Sequence, residues 1–138
     1  MALAFIITLE RELPQDAPAS ARRGNGKALA RESDRLDNAA RRLGVTPLTG
    51  LLSENQAVLI EQMKADGFDP SKMRIPPEQW FAPAEGLAVV RALAAHVNAN
   101  LNDFKQPNPI LRDLKAAEAL LVAAEAAGVR FHLSRAEA

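Results

Sequence analysis

Apolar and polar positions alternate at both ends of the chain. Leu3, Phe5, Ile7 and Leu9 share one face of residues 2–10, with Ala2, Ala4, Ile6, Thr8 and Glu10 on the other. This is the period-two pattern of a strand buried mainly on one side. Val129, Phe131 and Leu133 alternate in the same way with Arg130, His132 and Ser134. Between these ends the period lengthens to that of a helix. Leu87, Val90, Leu93, Val97 and Leu101 form one helical stripe, with Pro83 placed for its first turn. A second stripe runs through Ile110, Leu114, Ala117, Leu121 and Ala124. It opens at Asn108-Pro109, read as N-cap and first helical residue, and stops at Gly128. Alanine is frequent in both stretches, which favours helix and permits close approach. The short link over about residues 102–106 makes the two helices antiparallel neighbours.

Two earlier helices are marked less strongly. Leu36, Ala39, Ala40 and Leu43 form a stripe behind Ser33 as N-cap, with Asp34 early, Arg41 and Arg42 late, and Gly44 at the stop. Lys27–Arg31 adds a turn in front of it. Ser53-Glu54-Asn55-Gln56 reads as a capping box for a helix bearing Leu59, Ile60 and Met63, stopped at Gly67. The Pro/Gly-containing stretch at about 13–27 is expected to be an exposed, mobile loop. The proline-rich stretch at about 68–83 is expected to be a long connection pinned by Ile75, Trp80 and Phe81. No other segment reads as strand, and a lone strand leaves its backbone groups unpaired. The two ends are therefore expected to pair with each other, direction open, and to lie on the helices, because a two-stranded ribbon is marginal alone. The expected fold is α+β and predominantly α, in the order β-α-α-α-α-β, as a single domain over residues 1–138.

Composition narrows the function. The formal net charge is zero, so no global field draws the chain to nucleic acid or membrane. There is no cysteine, which removes disulfides, thiolate metal sites and cysteine nucleophiles and fits a reducing compartment. One tryptophan, five phenylalanines and no tyrosine argue against a base-stacking platform. Met1–Leu9 is apolar but short, lacks a basic leader and runs into Glu10-Arg11-Glu12. That is a poor signal peptide and too short to span a bilayer. The expected location is the cytoplasm.

Few residues carry candidate chemistry. Arg22, Arg23 and Lys27 flank Gly24-Asn25-Gly26, where glycines allow close backbone approach to an anion. A P-loop would need Gly at the position of Ala21 and Ser or Thr at that of Ala28. If the helix reaches back to Lys27, then Arg31, Arg35, Asn38 and Arg42 line one face that could contact a phosphate backbone, although Glu32, Asp34 and Asp37 interrupt it. His96 and His132 are the only histidines, and no His-Glu-x-x-His spacing exists. His132 and Ser134 share a strand face. Side chains two apart on a strand are parallel and separated, and no orienting acid lies nearby in sequence, so the expectation is a locally bonded, partly buried histidine. Trp80 is expected to anchor its loop, with an interface role as the alternative.

The sequence resembles a family of small bacterial proteins to which no function is attached. The resemblance rests on Phe5-x-Ile7-x-Leu9-Glu10, Gly26-Lys27-Ala28-Leu29, Leu36-Asp37, Leu43-Gly44-Val45-x-Pro47-Leu48, Trp80-Phe81 before Gly86-Leu87, and Gly128-Val129-x-Phe131-His132-Leu133. Leu51-Leu52 departs from it where aromatics are expected. The resemblance implies a compact domain and carries no site. The residues together favour a non-enzymatic, cofactor-free cytoplasmic module that binds a protein partner or a second copy of itself, immunity-like or adaptor. The alternatives are a phosphate or small-molecule binder using the Arg22–Lys27 loop, a nucleic-acid-associated protein using the basic face, and an enzyme that gathers at least two of His96, His132, Glu78, Glu85 and Asp103 around one concavity.

Overall fold

A computed structural model describes residues 3–11, 26–72 and 74–137. Strand β1 (Leu3–Leu9) is followed by helices α1 (Lys27–Arg31), α2 (Ser33–Leu43), α3 (Gln56–Ala65), α4 (Pro83–Ala99) and α5 (Pro107–Ala127), and the chain closes with β2 (Phe131–Glu137). The two terminal strands pair antiparallel, with Ile7 opposite Leu133 and Thr8 opposite His132. The predominantly helical α+β order expected from the sequence is present, with α1 as the extra turn in front of α2. Among the described residues no helix is long and apolar enough to cross a membrane.

The core lies between the inner face of the ribbon and the α4–α5 pair. Phe5, Phe131 and Leu133 from the ribbon meet Leu87, Val90, Leu93, Val97, Ile110, Leu114 and Leu121, all buried. Gly86 lets α4 approach the ribbon: a Cβ there would stand 2.5 Å from Phe131 Cζ and 2.9 Å from Leu121 Cδ1. The outer edge of β1 is closed by Gly26, whose carbonyl accepts the Phe5 N–H at 3.0 Å. Gly26 has φ of 75°, and a Cβ there would overlap the Phe5 carbonyl. The free edge of β2 is closed by single bridges to Leu52 and Phe81. The Phe81 N–H donates to Phe131 O at 2.7 Å, and the Ser53 N–H donates to Leu133 O at 2.9 Å.

Several caps differ from the expectation. Ser33 is already helical and Glu32 holds the N-cap position without a side-chain cap bond. α3 is capped by Asn55, whose side chain accepts the Ala57 N–H at 2.8 Å; the Ser53 hydroxyl instead accepts the Gln79 N–H. α5 starts at Pro107 rather than Pro109, with Gln106 as N-cap. The reason is long-range. Glu32, 7% exposed, accepts the Lys105 N–H at 2.7 Å and the Gln106 N–H at 3.1 Å. A buried carboxylate from the α1–α2 junction thus holds the two residues just before α5, while Asn108 lies inside the helix. Asp37 accepts from the Thr49 hydroxyl at 2.6 Å, and Asp113 from the Ala28 N–H at 3.2 Å. Buried acids bonded to distant backbone or hydroxyl groups fix how the segments sit on one another.

Candidate functional site

The second face of β2 is not a solvent face. His132 and Ser134 are buried, at 1% and 5% exposure, because the segment leading into α4 folds across them. Glu78 and Trp80 on that segment both reach His132. The imidazole Nε2 stands 2.7 Å from Glu78 Oε2, and the Trp80 ring is tilted against the imidazole with centroids 4.6 Å apart. Nδ1 lies 3.1 Å from Leu133 O and 3.2 Å from Ser134 Oγ. Ser134 Oγ is in turn 2.8 Å from Thr8 Oγ1 on β1. A carboxylate only accepts, so Nε2 carries a proton and donates to Glu78. Nδ1 accepts from the Ser134 hydroxyl when the ring is neutral and donates to Leu133 O when it is charged.

Two expectations are corrected by this arrangement. Ser134 and His132 bond to each other despite sitting two apart on a strand, and the orienting acid comes from 54 positions away. The set Ser134–His132–Glu78 has the residue types of a hydrolytic triad. Its geometry serves a different end. Ser134 is 5% exposed and its hydroxyl is held between Thr8 and His132, so an external carbonyl has no approach to it. What the arrangement does chemically is fasten residues 75–81 to the ribbon. The Gln79 N–H bond to Ser53 Oγ at 2.7 Å and the Phe81–Phe131 bridge fasten it on either side.

The fastened segment and α3 form one face. α3 has no buried residue. Val58 is 42% exposed and Phe68, just past the helix, 56%. Leu59, Ile60, Met63 and Ile75 are half-buried. Gln56 Nε2 donates to the Ile75 and Pro76 carbonyls at 3.5 and 3.4 Å, tying the helix start to the fastened segment. Among the described residues α3 also lies against the short 3-10 turn at Pro70–Lys72.

The remaining candidate residues do not converge. Arg22 and Arg23 lie outside the described residues, and Lys27 opens α1 half-buried. Arg31, Arg35 and Arg42 are exposed, and the helix that would align them is interrupted at Glu32. Arg35 pairs with Glu32 at 3.4 Å and donates to Asp103 O at 3.4 Å, so it braces the α5 approach. Trp80 and Phe81 do anchor their segment, Phe81 against Phe131 at 6.2 Å. His96 stands apart at the end of α4, beside Asn100 and edge-on to Phe104 at 6.2 Å. Among the described residues no group of three His, Asp or Glu side chains is placed to hold a metal.

Compared with known protein families, with curated proteins and with solved structures, the chain finds no match.

Proposed function

We propose that this chain is a non-enzymatic protein-binding module of the cytoplasm, immunity-like or adaptor, whose contact face is α3 with the apolar residues that follow it. The observation that supports this reading is a ten-residue helix with no fully buried residue, on which Val58 is exposed and Leu59, Ile60 and Met63 are half-buried, with exposed Phe68 just past its end. Helices of this length are marginal in water without tertiary packing. Here the Asn55 cap and the glycine stop hold the helix locally, and Val58 and Phe68 are left for a partner. Exposed apolar side chains grouped on a fixed support mark interaction surfaces. The His132–Glu78 contact supplies that support, because it keeps the segment beside α3 from swinging away.

The test is co-purification with tagged parent protein and with a Val58→Glu/Phe68→Glu variant, both changes at exposed positions. The expected result is one protein held in near-equal amount by the parent, lost by the variant, with the melting temperature unchanged. If that protein is a second copy of the chain, the module is a homo-oligomer. The same proteins retained by parent and variant would overturn the reading.

A further inference from the structure

Gly26 closes the outer edge of β1 at Phe5 alone. Even-numbered residues of the strand turn their backbone groups to β2, a pattern the Glu10 N–H continues by donating to Arg130 O at 2.9 Å, and odd-numbered ones turn theirs outward. Phe5 gives its outward N–H to Gly26 O. Among the described residues, the outward N–H and carbonyl groups of Ile7 and Leu9 have no partner. Beside them, toward α1 and α5, lies a groove of about 200 Å³ lined by Ile6, Ile7, Leu29, Ala116, Ala117 and Leu120. The acid in its lining, Asp113, is buried and accepts the Ala28 N–H. A strand edge with free N–H and C=O groups is a template for another strand, and a two-stranded ribbon gains from a third.

We propose that this edge pairs with the same edge of a second copy of the chain, antiparallel about Thr8, joining two ribbons into one four-stranded sheet. The register follows from which groups are free. Setting Ile7 opposite Leu9 of the second copy, and Leu9 opposite its Ile7, engages every free N–H and carbonyl of the two residues in both strands. Pairing ends there on both sides, because Gly26 already holds Phe5 and the strand stops at Leu9. Setting Ile7 opposite Ile7 would instead drive Leu9 of the second copy onto Gly26. Opposed residues share a face of the sheet, so Leu9 of the second copy lies beside Ile7 and covers the groove. On the other face Thr8 meets Thr8, a favourable cross-strand pair, and Ile6, 42% exposed, meets Glu10. No like charges are opposed. An edge of two residues is smaller than a permanent interface needs, so the association is transient and depends on concentration. The inference is independent of the α3 face, which is formed by other residues.

The test is sedimentation of the full chain over roughly 10 µM to 1 mM, with amide hydrogen exchange measured at both ends of that range. Three variants accompany it, all changed at exposed positions: Ile6→Glu, Ile6→Lys and Val58→Glu/Phe68→Glu. The expected result is a monomer–dimer equilibrium within the range. In dilute solution the Ile7 and Leu9 amides should exchange faster than those of Ile6 and Thr8, which bond to β2, and they should become protected in concentrated solution. Ile6→Glu sets a like charge opposite Glu10 of the second copy and should weaken association about two-fold or more, and Ile6→Lys should strengthen it by a similar factor. The α3 variant should associate as the parent does. A chain that stays monomeric at about 1 mM, Ile7 and Leu9 amides protected equally at both concentrations, Ile6 variants without opposite effects, or association lost only in the α3 variant would each overturn the inference. The first three outcomes leave the α3 reading standing, and the last would move the dimer contact to α3, so the two proposals fail separately.

Discussion

Replacing Glu32 by alanine tests the buried acid that most shapes the helical half. Its two carboxylate oxygens accept the Lys105 and Gln106 N–H groups at 2.7 and 3.1 Å, just ahead of α5. A hydrogen bond to a charged acceptor contributes about 1.5–3 kcal/mol. Lys105 and Gln106 are themselves exposed, so water replaces part of the loss and the low end of that range applies to each bond. The expected cost of Glu32→Ala is therefore about 3 kcal/mol, or a fall in melting temperature on the order of 10 °C for a domain of this length. Glu32→Gln retains one good acceptor and should cost about half as much. Arg35→Ala removes a partner that is 47% exposed and 3.4 Å away, so it should cost at most about 0.5 kcal/mol. Urea and thermal denaturation of the three variants give the comparison, and hydrogen exchange at the Lys105 and Gln106 amides localises it. A Glu32→Ala protein within about 0.5 kcal/mol of the parent would refute the reasoning, as would an Arg35→Ala loss of the same size as that of Glu32→Ala.

Three further outcomes follow from the same contacts. Glu78→Ala leaves the buried His132 Nε2 without an acceptor and should cost about 1–3 kcal/mol, with Glu78→Gln costing less; the emission of Trp80, the sole tryptophan, should move to the red in the alanine variant as its segment loosens. Gly86→Ala gains about 1 kcal/mol of helix propensity but presses a methyl group on Phe131 and Leu121, so denaturation should show a net loss of about 1–2 kcal/mol. The Arg130 side-chain hydrogen bond holds the Glu10 carboxyl below its ordinary pKa, so this pair stabilises the fold above the ordinary glutamate range and loses that effect as pH falls through the lowered value. A pH series should therefore show Glu10→Gln slightly less stable than the parent at neutral pH and the two converging in acid.

The terminal strands and the α4–α5 stripes were legible because their information is local. A period of two or of three-and-four survives in any window of the chain, and the buried faces at Phe5, Leu93 and Ile110 follow it. What the local pattern hid was every contact between distant segments. Ser33, Ser53 and Asn108 are good caps by type, yet none of them caps a helix: Glu32, adjacent to Ser33, holds the α2 N-cap position and bonds the residues just before α5, and the Ser53 hydroxyl serves Gln79. Alternation says only that His132 and Ser134 oppose Phe131, which supports no more than a partly buried, locally bonded histidine. It cannot say that residues 78–80 fold over them. One sign was available. Glu32 falls between Leu29 and Leu36, and Asp113 between Ile110 and Ala117, at the three-and-four spacing of a buried stripe. An acid in a core-facing helical position needs donors from elsewhere in the chain. That sign marks the residue but not its partner, which lies 73 positions away for Glu32 and 85 for Asp113.

The central claim is that α3 presents its apolar side chains to another protein. A photo-crosslinking residue placed at Val58 or Phe68, with one at the equally exposed Val122 on α5 as reference, tests this most directly in the native cell. The account predicts that Val58 and Phe68 each crosslink to the same single protein and that Val122 does not. Crosslinks to that protein from Val122 alone, or none from either α3 position, would contradict it.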